Sequence, residues 1–305
     1  MFSVFFTLIR KELLEHKVGL IFAPWIVACI LACIIILVYL GITEIGEGEA
    51  VFSTTRYEDE DLVNGIREAS EKQKTDLIRT ALLLVGMPVL LVAGLAALAY
   101  SLTTFSDERK DKSVIFWRSL PVSDLTTIFS KLAVVVFCVP LIIVPSIIFL
   151  QIISLLSAST FFHFNEIVPF GYLWGFYLAI DWFRIIFSLW AQALWTLPIL
   201  TWLMFTGSYA KKPIIAALVP IFAIVVLEEV ILGTDRFYST IFERLGPWSR
   251  SESLRNIFPE ISVVDISDIY LLIISSEFWL GLLVSAFLII LTVKIRSRIN
   301  YSSVD

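Results

Sequence analysis

A charged segment at residues 107–131 reads DERKDKSVIFWRSLPVSDLTTIFSK and separates two long apolar stretches. It carries five basic residues close to two predicted membrane exits: Arg109, Lys110, Lys112, Arg118 and Lys131. Because membrane-adjacent segments rich in Lys and Arg stay in the cytosol, we expect this segment to be cytosolic. Its centre at residues 114–117, VIFW, is apolar and aromatic, so it needs a surface to bury against, either bilayer headgroups or a partner protein.

The composition places the chain among integral membrane proteins. Of its 305 residues, 58% are hydrophobic and 17% are charged, whereas soluble domains are about half apolar and a quarter charged. The basic residues form small clusters at the ends of the spans and do not line one face of the protein. Nucleic-acid binding is therefore not expected. The three cysteines lie within apolar spans, so we expect them to contact lipid or to pack between helices. We expect neither a disulfide nor a metal site.

The apolar pattern predicts an all-α protein with six transmembrane helices in a single domain covering residues 1–305. Each predicted span approaches or exceeds the roughly 20 residues needed to cross the hydrocarbon core. The predicted spans are residues 18–42, 80–105, 132–156, 185–205, 213–232 and 269–293, with residues 106–131 as a cytosolic loop. Pro198 predicts a kink in the fourth span.

Both termini are predicted to be cytosolic. Residues 1–17 place apolar side chains at helical spacing and their charges elsewhere on the wheel, a pattern typical of an amphipathic helix on the membrane surface. A frayed extension of the first span is the alternative. At the other end, Lys294, Arg296 and Arg298 follow the last span and favour a cytosolic C-terminus.

The predicted outer segments contain few candidate site residues. Asp181 and Arg184 lie three apart and can pair on one helix face. Glu228 and Glu229 lie about 22 Å of helix beyond Pro213, which favours interfacial carboxylates over an exit gate. Residues 43–79 are acidic, which indicates a solvated loop or, alternatively, a cation-binding one, and residues 62–76 are expected to be helical. Residues 235–245 and 251–258 predict short extracellular helices between spans five and six.

Several motifs of enzymes are missing from the sequence. It contains no G-x-x-x-x-G-K-[ST], no H-E-x-x-H, no C-x-x-C and no G-x-S-x-G, so we expect neither catalysis nor a nucleotide site in this chain. Ion-coupled carriers place ionisable residues deep in the bundle. Spans one, two and three carry none in their interiors, and Glu277 of span six lies in the outer third of that span. The pattern therefore favours a protein that receives its energy from a separate partner over a secondary transporter. A non-transporting sensor or scaffold is a further alternative.

The 107–131 segment resembles the cytosolic loop after span two in permease subunits of bacterial type-2 ABC exporters. The likeness is carried there by DERKDKS at 107–113 and FWRSLPVSD at 116–124. Other short motifs are similar to the same family in order and spacing: RKEL at 10–13, LW at 194–195, LP at 197–198, Trp202, and KKP at 211–213. The acidic loop at 43–79 departs from that family's pattern.

The resemblance implies a six-span subunit of the bacterial cytoplasmic membrane that dimerises, with itself or a relative, and docks two ATPase subunits. ATP and magnesium would then bind the partner, leaving no cofactor in this chain. The ATPase-docking region that it implies comprises Arg10, Lys11, Glu12, Glu108, Arg109, Asp111, Lys112, Phe116, Trp117, Arg118 and Pro121. Phe116 and Trp117 would be the anchors, since buried aromatic residues dominate interface energy.

Overall fold

The computed structural model describes residues 2–39, 71–111, 122–164, 173–246, 270 and 272–298. The main elements in these ranges are ten α-helices. They are α1 (Phe2–Glu15), α2 (Ala23–Tyr39), α3 (Glu71–Lys110), α4 (Asp124–Ala133), α5 (Val139–Phe164), α6 (Tyr177–Trp195), α7 (Leu197–Tyr209), α8 (Pro213–Leu232), α9 (Arg236–Leu245) and α10 (Ser276–Arg298). Two π-helical turns, Val18–Phe22 and Val134–Cys138, join α1 to α2 and α4 to α5.

The helices confirm an all-α, multi-pass membrane protein. Five helical stretches are long and apolar enough to cross a bilayer: Val18–Val38, Gln73–Lys110, Asp124–Thr160, Pro213–Leu232 and Ser276–Arg298. The pair α6 and α7 makes a sixth if it is one broken span, since its two helices meet at 51°. Pro198 lies in the first turn of α7 and has no amide hydrogen to continue the bonding of α6, which explains the predicted kink.

The loop predicted at 106–131 is shorter in the structure. Helix α3 continues to Lys110 and α4 begins at Asp124. The start of α4 is fixed by Ser123, whose hydroxyl accepts a hydrogen bond from the Thr126 amide at 3.1 Å. Five of the predicted docking residues lie outside the described residues: Lys112, Phe116, Trp117, Arg118 and Pro121.

The apolar core is formed mainly by α2, α3 and α5. Its most buried side chains include Ala28, Val89 and Leu150, all with no exposed surface. Helix α7 packs on α3 so closely that a Cβ at Gly207 would collide with the carbonyl oxygen of Leu102. Only glycine permits this separation of the two backbones.

The surface of the bundle is strongly apolar, as expected for contact with lipid. On α8, Val230 is 77% exposed and Ile231 71% exposed. The three cysteines are free, and Cys29 and Cys33 are exposed on the outside of α2 rather than packed between helices. No other part of the chain within the described ranges covers these faces, as expected for contact with lipid.

Candidate functional site

Six charged side chains from four helices meet at the end of the bundle that carries the 107–131 segment. We call them the ionic network. Its members are Lys11 and Glu12 of α1, Glu108 of α3, Asp124 and Lys131 of α4, and Arg296 of α10. Among the described residues, these three carboxylates lie against three cations, as burial of charge requires, and Lys11 also pairs with the half-exposed Glu15 at 3.3 Å.

Lys131 is at the centre of the ionic network. Its Nζ lies 2.8 Å from Glu12 Oε1 and 2.9 Å from Glu108 Oε1. It also donates to Thr104 Oγ1 at 2.7 Å, so each of the three ammonium donors has a partner. The residue has no exposed surface. A charge buried so completely is tolerated because its partners replace water on every side.

Glu12 receives hydrogen bonds on both carboxylate oxygens. Oε1 contacts Lys131, and Oε2 accepts from the Tyr100 hydroxyl at 3.0 Å and from Thr104 Oγ1 at 3.2 Å. Burial alone would raise the pKa of Glu12, but the charges of Lys131 and Lys11, with hydrogen bonds from Lys131 and Tyr100, lower its pKa to about 2. The carboxylate is therefore ionised at all physiological pH values.

Arg296 connects the last helix to the same cluster. Its guanidinium forms an ion pair with Glu108 at 3.6 Å and with Asp124 at 3.3 Å. The Phe105 ring lies close to two cations, with its centroid 4.5 Å from Arg296 Cζ and 5.1 Å from Lys131 Nζ. Both distances are within the range of cation–π attraction. The ionic network thus joins α1, α3, α4 and α10.

Arg109 extends these connections to the turn between α7 and α8. Its Nη2 donates to the carbonyl oxygens of Gly207 at 2.8 Å and Ala210 at 2.6 Å. These are carbonyls at the C-terminal end of α7, where an arginine is electrostatically favourable. The C-terminal end of α3 therefore contacts α1 through Glu108 and the turn between α7 and α8 through Arg109.

The predicted docking residues that the structure describes fall into a buried group and an exposed group. Glu12 is 2% exposed and Glu108 is 7% exposed, and both carboxylates bind side chains of other helices. Lys11 and Arg109 likewise bind within the chain, whereas Arg10 and Asp111 are exposed. The docking role of Glu12 and Glu108 stays a prediction, and the structure adds that both side chains contact the buried Lys131.

The central residue of the ionic network was not predicted as a site residue. Lys131 and Arg296 were used only as signs of orientation, and Tyr100, Thr104 and Phe105 were counted as parts of a span. The sequence contains part of the evidence for the ionic network, because Asp124 and Lys131 are two helical turns apart and lie on one face of α4. Their partners are far away in the sequence, however, with Glu12 separated from Lys131 by 119 residues.

One group of ligand-type side chains overlaps the ionic network. The ligand atoms of Glu12, Glu15 and His16 lie within 4.8 Å of one another. Burial lowers the pKa of His16 more than the neighbouring Glu12 raises it, so the ring is neutral at physiological pH. A metal ion here would have to displace the ammonium groups of Lys131 and Lys11 from Glu12, so the arrangement favours the lysines over a metal.

At the opposite end of the bundle, Asp181 accepts hydrogen bonds from two arginines. The predicted contact with Arg184 is present at 3.3 Å, and Arg79 of α3 approaches more closely, at 2.8 Å. The other predicted carboxylate, Glu228, accepts hydrogen bonds from the Thr234 hydroxyl and from the amides of Arg236 and Phe237. It therefore caps α9, while Glu229 is exposed.

Helix α9 is one of the two short helices predicted between spans five and six; residues 251–258 lie outside the described residues. Its C-terminal end contacts the break between α6 and α7. Trp195 Nε1 donates to Glu243 O at 2.9 Å, and Thr196 Oγ1 donates to Arg244 O at 3.0 Å. The Arg244 guanidinium lies 4.0 Å from the centroid of the Trp195 ring. The C-terminal end of α9 thus packs on the bend between α6 and α7.

Comparison with protein-family models, curated proteins and solved structures found no match for this chain. The resemblance to type-2 ABC permeases therefore stands on the sequence motifs alone.

Proposed function

We propose that this chain is the membrane-spanning subunit of an ATP-driven exporter in a bacterial cytoplasmic membrane. It forms the translocation path, pairs with a second permease subunit and receives force from separate ATPase subunits, which bind ATP and magnesium. The observation that carries the proposal is the contact of Lys131 with both Glu12 and Glu108. Through it, the two elements expected to dock the ATPase, α1 and the 107–131 segment, are joined to the spans.

Force applied to either element reaches three spans. Lys131 is part of the stretch Asp124–Thr160, Glu108 lies near the end of Gln73–Lys110, and Arg296 lies near the end of Ser276–Arg298. Breaking a buried ion pair by removing one partner costs about 3–5 kcal/mol. The helix ends therefore move together rather than separately when α1 or the segment is displaced.

The docking surface combines aromatic anchors with exposed charges. Phe116 and Trp117 would fill a groove of the ATPase, since buried aromatic side chains dominate binding energy. Arg10 is exposed on α1 and Asp111 is exposed directly after the end of α3, and both would set the orientation of the ATPase through rim contacts. In this proposal Lys11, Glu12, Glu108 and Arg109 act behind the surface, holding its elements in place.

The proposed mechanism is alternating access. ATP binding closes the partner ATPases, their movement displaces α1 and the 107–131 segment, and the ionic network carries that displacement to the spans. The path then opens at the opposite end, where α9 rests on the bend between α6 and α7. ATP hydrolysis would reverse the displacement.

The docking step is tested by removing the two anchors. The tagged chain is purified from its native membranes, and P-loop ATPases that remain bound are identified by mass spectrometry. We expect Phe116→Ala with Trp117→Ala to lose the ATPase while membrane insertion and yield stay unchanged. Leu91→Ala with Leu95→Ala is the matched control, because it removes two large apolar side chains that are 64% and 59% exposed in the middle of α3. Retention of an ATPase by the double anchor variant refutes the docking assignment.

The coupling step needs a separate measurement. Transport by the purified complex should stop when ATP is omitted and continue when ion gradients are dissipated. Flux driven by an ion gradient in the absence of any ATPase would support the secondary transporter instead. A bound ATPase with no transport under either condition would support a sensor or scaffold.

A further inference from the structure

Helix α9 carries three different rows of side chains around its axis. In each row the residues are spaced i, i+4 and i+7, so they lie along one face of the helix. The contact row consists of Phe237, Ile241 and Arg244, none of which is exposed. Arg244 is buried and donates to the carbonyl oxygens of Trp195 and Glu277. This row therefore faces the bundle.

The two other rows of α9 flank the contact row and differ in polarity. All of their members are exposed. The polar row consists of Arg236, Thr240 and Glu243. The apolar row consists of Tyr238, Phe242 and Leu245, which are 47%, 57% and 45% exposed. At 3.6 residues per turn, the centres of these two rows lie about 160° apart around the helix. Such a separation of exposed polar and apolar side chains is typical of a helix at a boundary between water and lipid.

The length of α8 places the start of α9 at this kind of boundary. Helix α8 follows the exposed Lys211 and Lys212. Its 20 residues span about 30 Å at 1.5 Å per residue, and the hydrocarbon core of a bilayer is also about 30 Å thick. Its last residue, Leu232, is 68% exposed. Gly233 then turns the chain with a φ of 62°, and α9 begins at Arg236. Helix α9 thus starts where hydrocarbon meets headgroups, in the leaflet opposite the ionic network.

Both ends of α9 are held by hydrogen bonds, which fixes the direction of each row. At the N-terminal end, the Glu228 carboxylate accepts from the Phe237 amide at 2.8 Å. At the C-terminal end, Trp195 Nε1 donates to the Glu243 carbonyl oxygen at 2.9 Å. Rotation of the helix to bury its apolar row would break these contacts. Within the described residues, the apolar row therefore stays uncovered and needs an apolar environment from outside.

The side chains of the apolar row suit lipid better than a second protein. The Tyr238 and Phe242 rings lie side by side, with their centroids 4.5 Å apart. Aromatic side chains of this kind are enriched at the headgroup level of membranes. A stable protein interface needs about 800 Å² from each partner. Three half-exposed side chains on a helix of 10 residues supply only a fraction of that area.

From these features we infer that α9 is an interfacial helix whose apolar row inserts among the lipids of the leaflet opposite the ionic network. Its polar row faces water and headgroups, and its contact row packs on the bend between α6 and α7. The lipid surface therefore touches the same short helix that supports the broken span. This inference does not depend on the proposed ATPase partner, and it holds equally for an exporter, a secondary transporter or a scaffold.

The test places one spin label at a time on the full chain in vesicles of phosphatidylethanolamine and phosphatidylglycerol. The native cysteines are first replaced by alanine. Oxygen concentrates in the bilayer and a water-soluble nickel chelate does not enter it, so the relaxation of the label by each one reports its surroundings. The label at Phe242→Cys should respond to oxygen and lose its response to nickel. The label at Thr240→Cys is the matched control in the polar row and should respond to nickel.

A third label defines the response of a side chain in lipid. Leu283→Cys serves this purpose, since Leu283 is 66% exposed on α10. A nickel response at Phe242→Cys equal to that at Thr240→Cys would place the apolar row in water. Loss of both responses at Phe242→Cys would assign the row to a protein occupant, either a second copy or another segment of this chain. Each of these two results overturns the inference.

A second measurement uses the unaltered chain, so it does not depend on the folding of any variant. A phosphatidylcholine with a diazirine in its acyl chain is activated by light in the same vesicles, and the protein is digested with trypsin. Cleavage after Arg236 and Arg244 releases the peptide 237–244, which contains Tyr238 and Phe242. We expect lipid attached to this peptide. A peptide 237–244 without attached lipid overturns the inference.

Discussion

The ammonium group of Lys131 lies 2.8 Å from the carboxylate of Glu12, a residue 119 positions earlier in the chain. The contact joins a helix that is not a predicted span to the beginning of the third span. Its surroundings are fully buried, so its effect on stability and on coupling can be measured by substitution.

We predict that Lys131→Met lowers the free energy of unfolding by roughly 3–5 kcal/mol, because it leaves Glu12 and Glu108 buried without their shared cation. Unfolding in denaturant, followed by tryptophan fluorescence, measures the change. Lys294→Met is the control, since Lys294 is exposed on α10 and should have little effect. Adding Glu12→Gln to Lys131→Met should recover part of the loss, and a strictly additive double variant would contradict the proposed coupling.

The stability of the protein should depend on Glu12 at acidic pH. Its pKa in the folded chain is about 2, below the ordinary value of 4.5, so its contribution is complete above pH 4.5 and is lost as the pH falls towards 2. At about 1.4 kcal/mol per pK unit, the contribution is roughly 3 kcal/mol. The melting temperatures of the unaltered chain and of Glu12→Gln should therefore converge on acidification. A constant difference between them would show that Glu12 acts through packing alone.

Gly207→Ala should separate α3 from α7, because the added methyl group meets the carbonyl oxygen of Leu102. Overpacking of this kind costs about 1–3 kcal/mol. Gly94→Ala is the matched control in α3, where a Cβ would meet nothing within 4 Å and the alanine should be neutral or slightly stabilising. Equal melting temperatures for the two variants would mean that the helices can move apart without cost.

Glu228→Ala should loosen α9 without unfolding the bundle. The substitution removes the acceptor for the Thr234 hydroxyl and for the Arg236 and Phe237 amides. Amide hydrogen exchange in α9 should become faster by about fivefold, the usual effect of losing a helix cap. Glu229→Ala, at an exposed neighbour, should leave exchange unchanged, and faster exchange throughout the chain would contradict a local role.

The sequence was sufficient for features that depend on neighbouring residues. Apolar runs predicted the spanning helices, Pro198 predicted the bend, and the spacing of Asp181 and Arg184 predicted their contact. The polar residues after Phe105 were interpreted as a loop, although α3 continues to Lys110. A helix that leaves the hydrocarbon core keeps its own hydrogen bonds, so a change in polarity marks the edge of the membrane and not the end of a helix.

The ionic network could not be predicted in the same way. Each of its pairs connects different helices, and the arrangement of helices is fixed by packing of side chains such as Ala28, Val89 and Leu150. Arg79 is a similar case, since it precedes its partner Asp181 by 102 residues. Long-range pairs of this kind have no signal in local spacing.

The position of Arg296 in the ionic network has a consequence for biosynthesis. Glu12, Glu108 and Lys131 leave the ribosome long before Arg296 of α10, so Glu108 and the Phe105 ring receive Arg296 after their other cation, Lys131. A nascent chain can place its early helices in the bilayer, but the charges at this end of the bundle are balanced by Arg296 only after α10 has been synthesised.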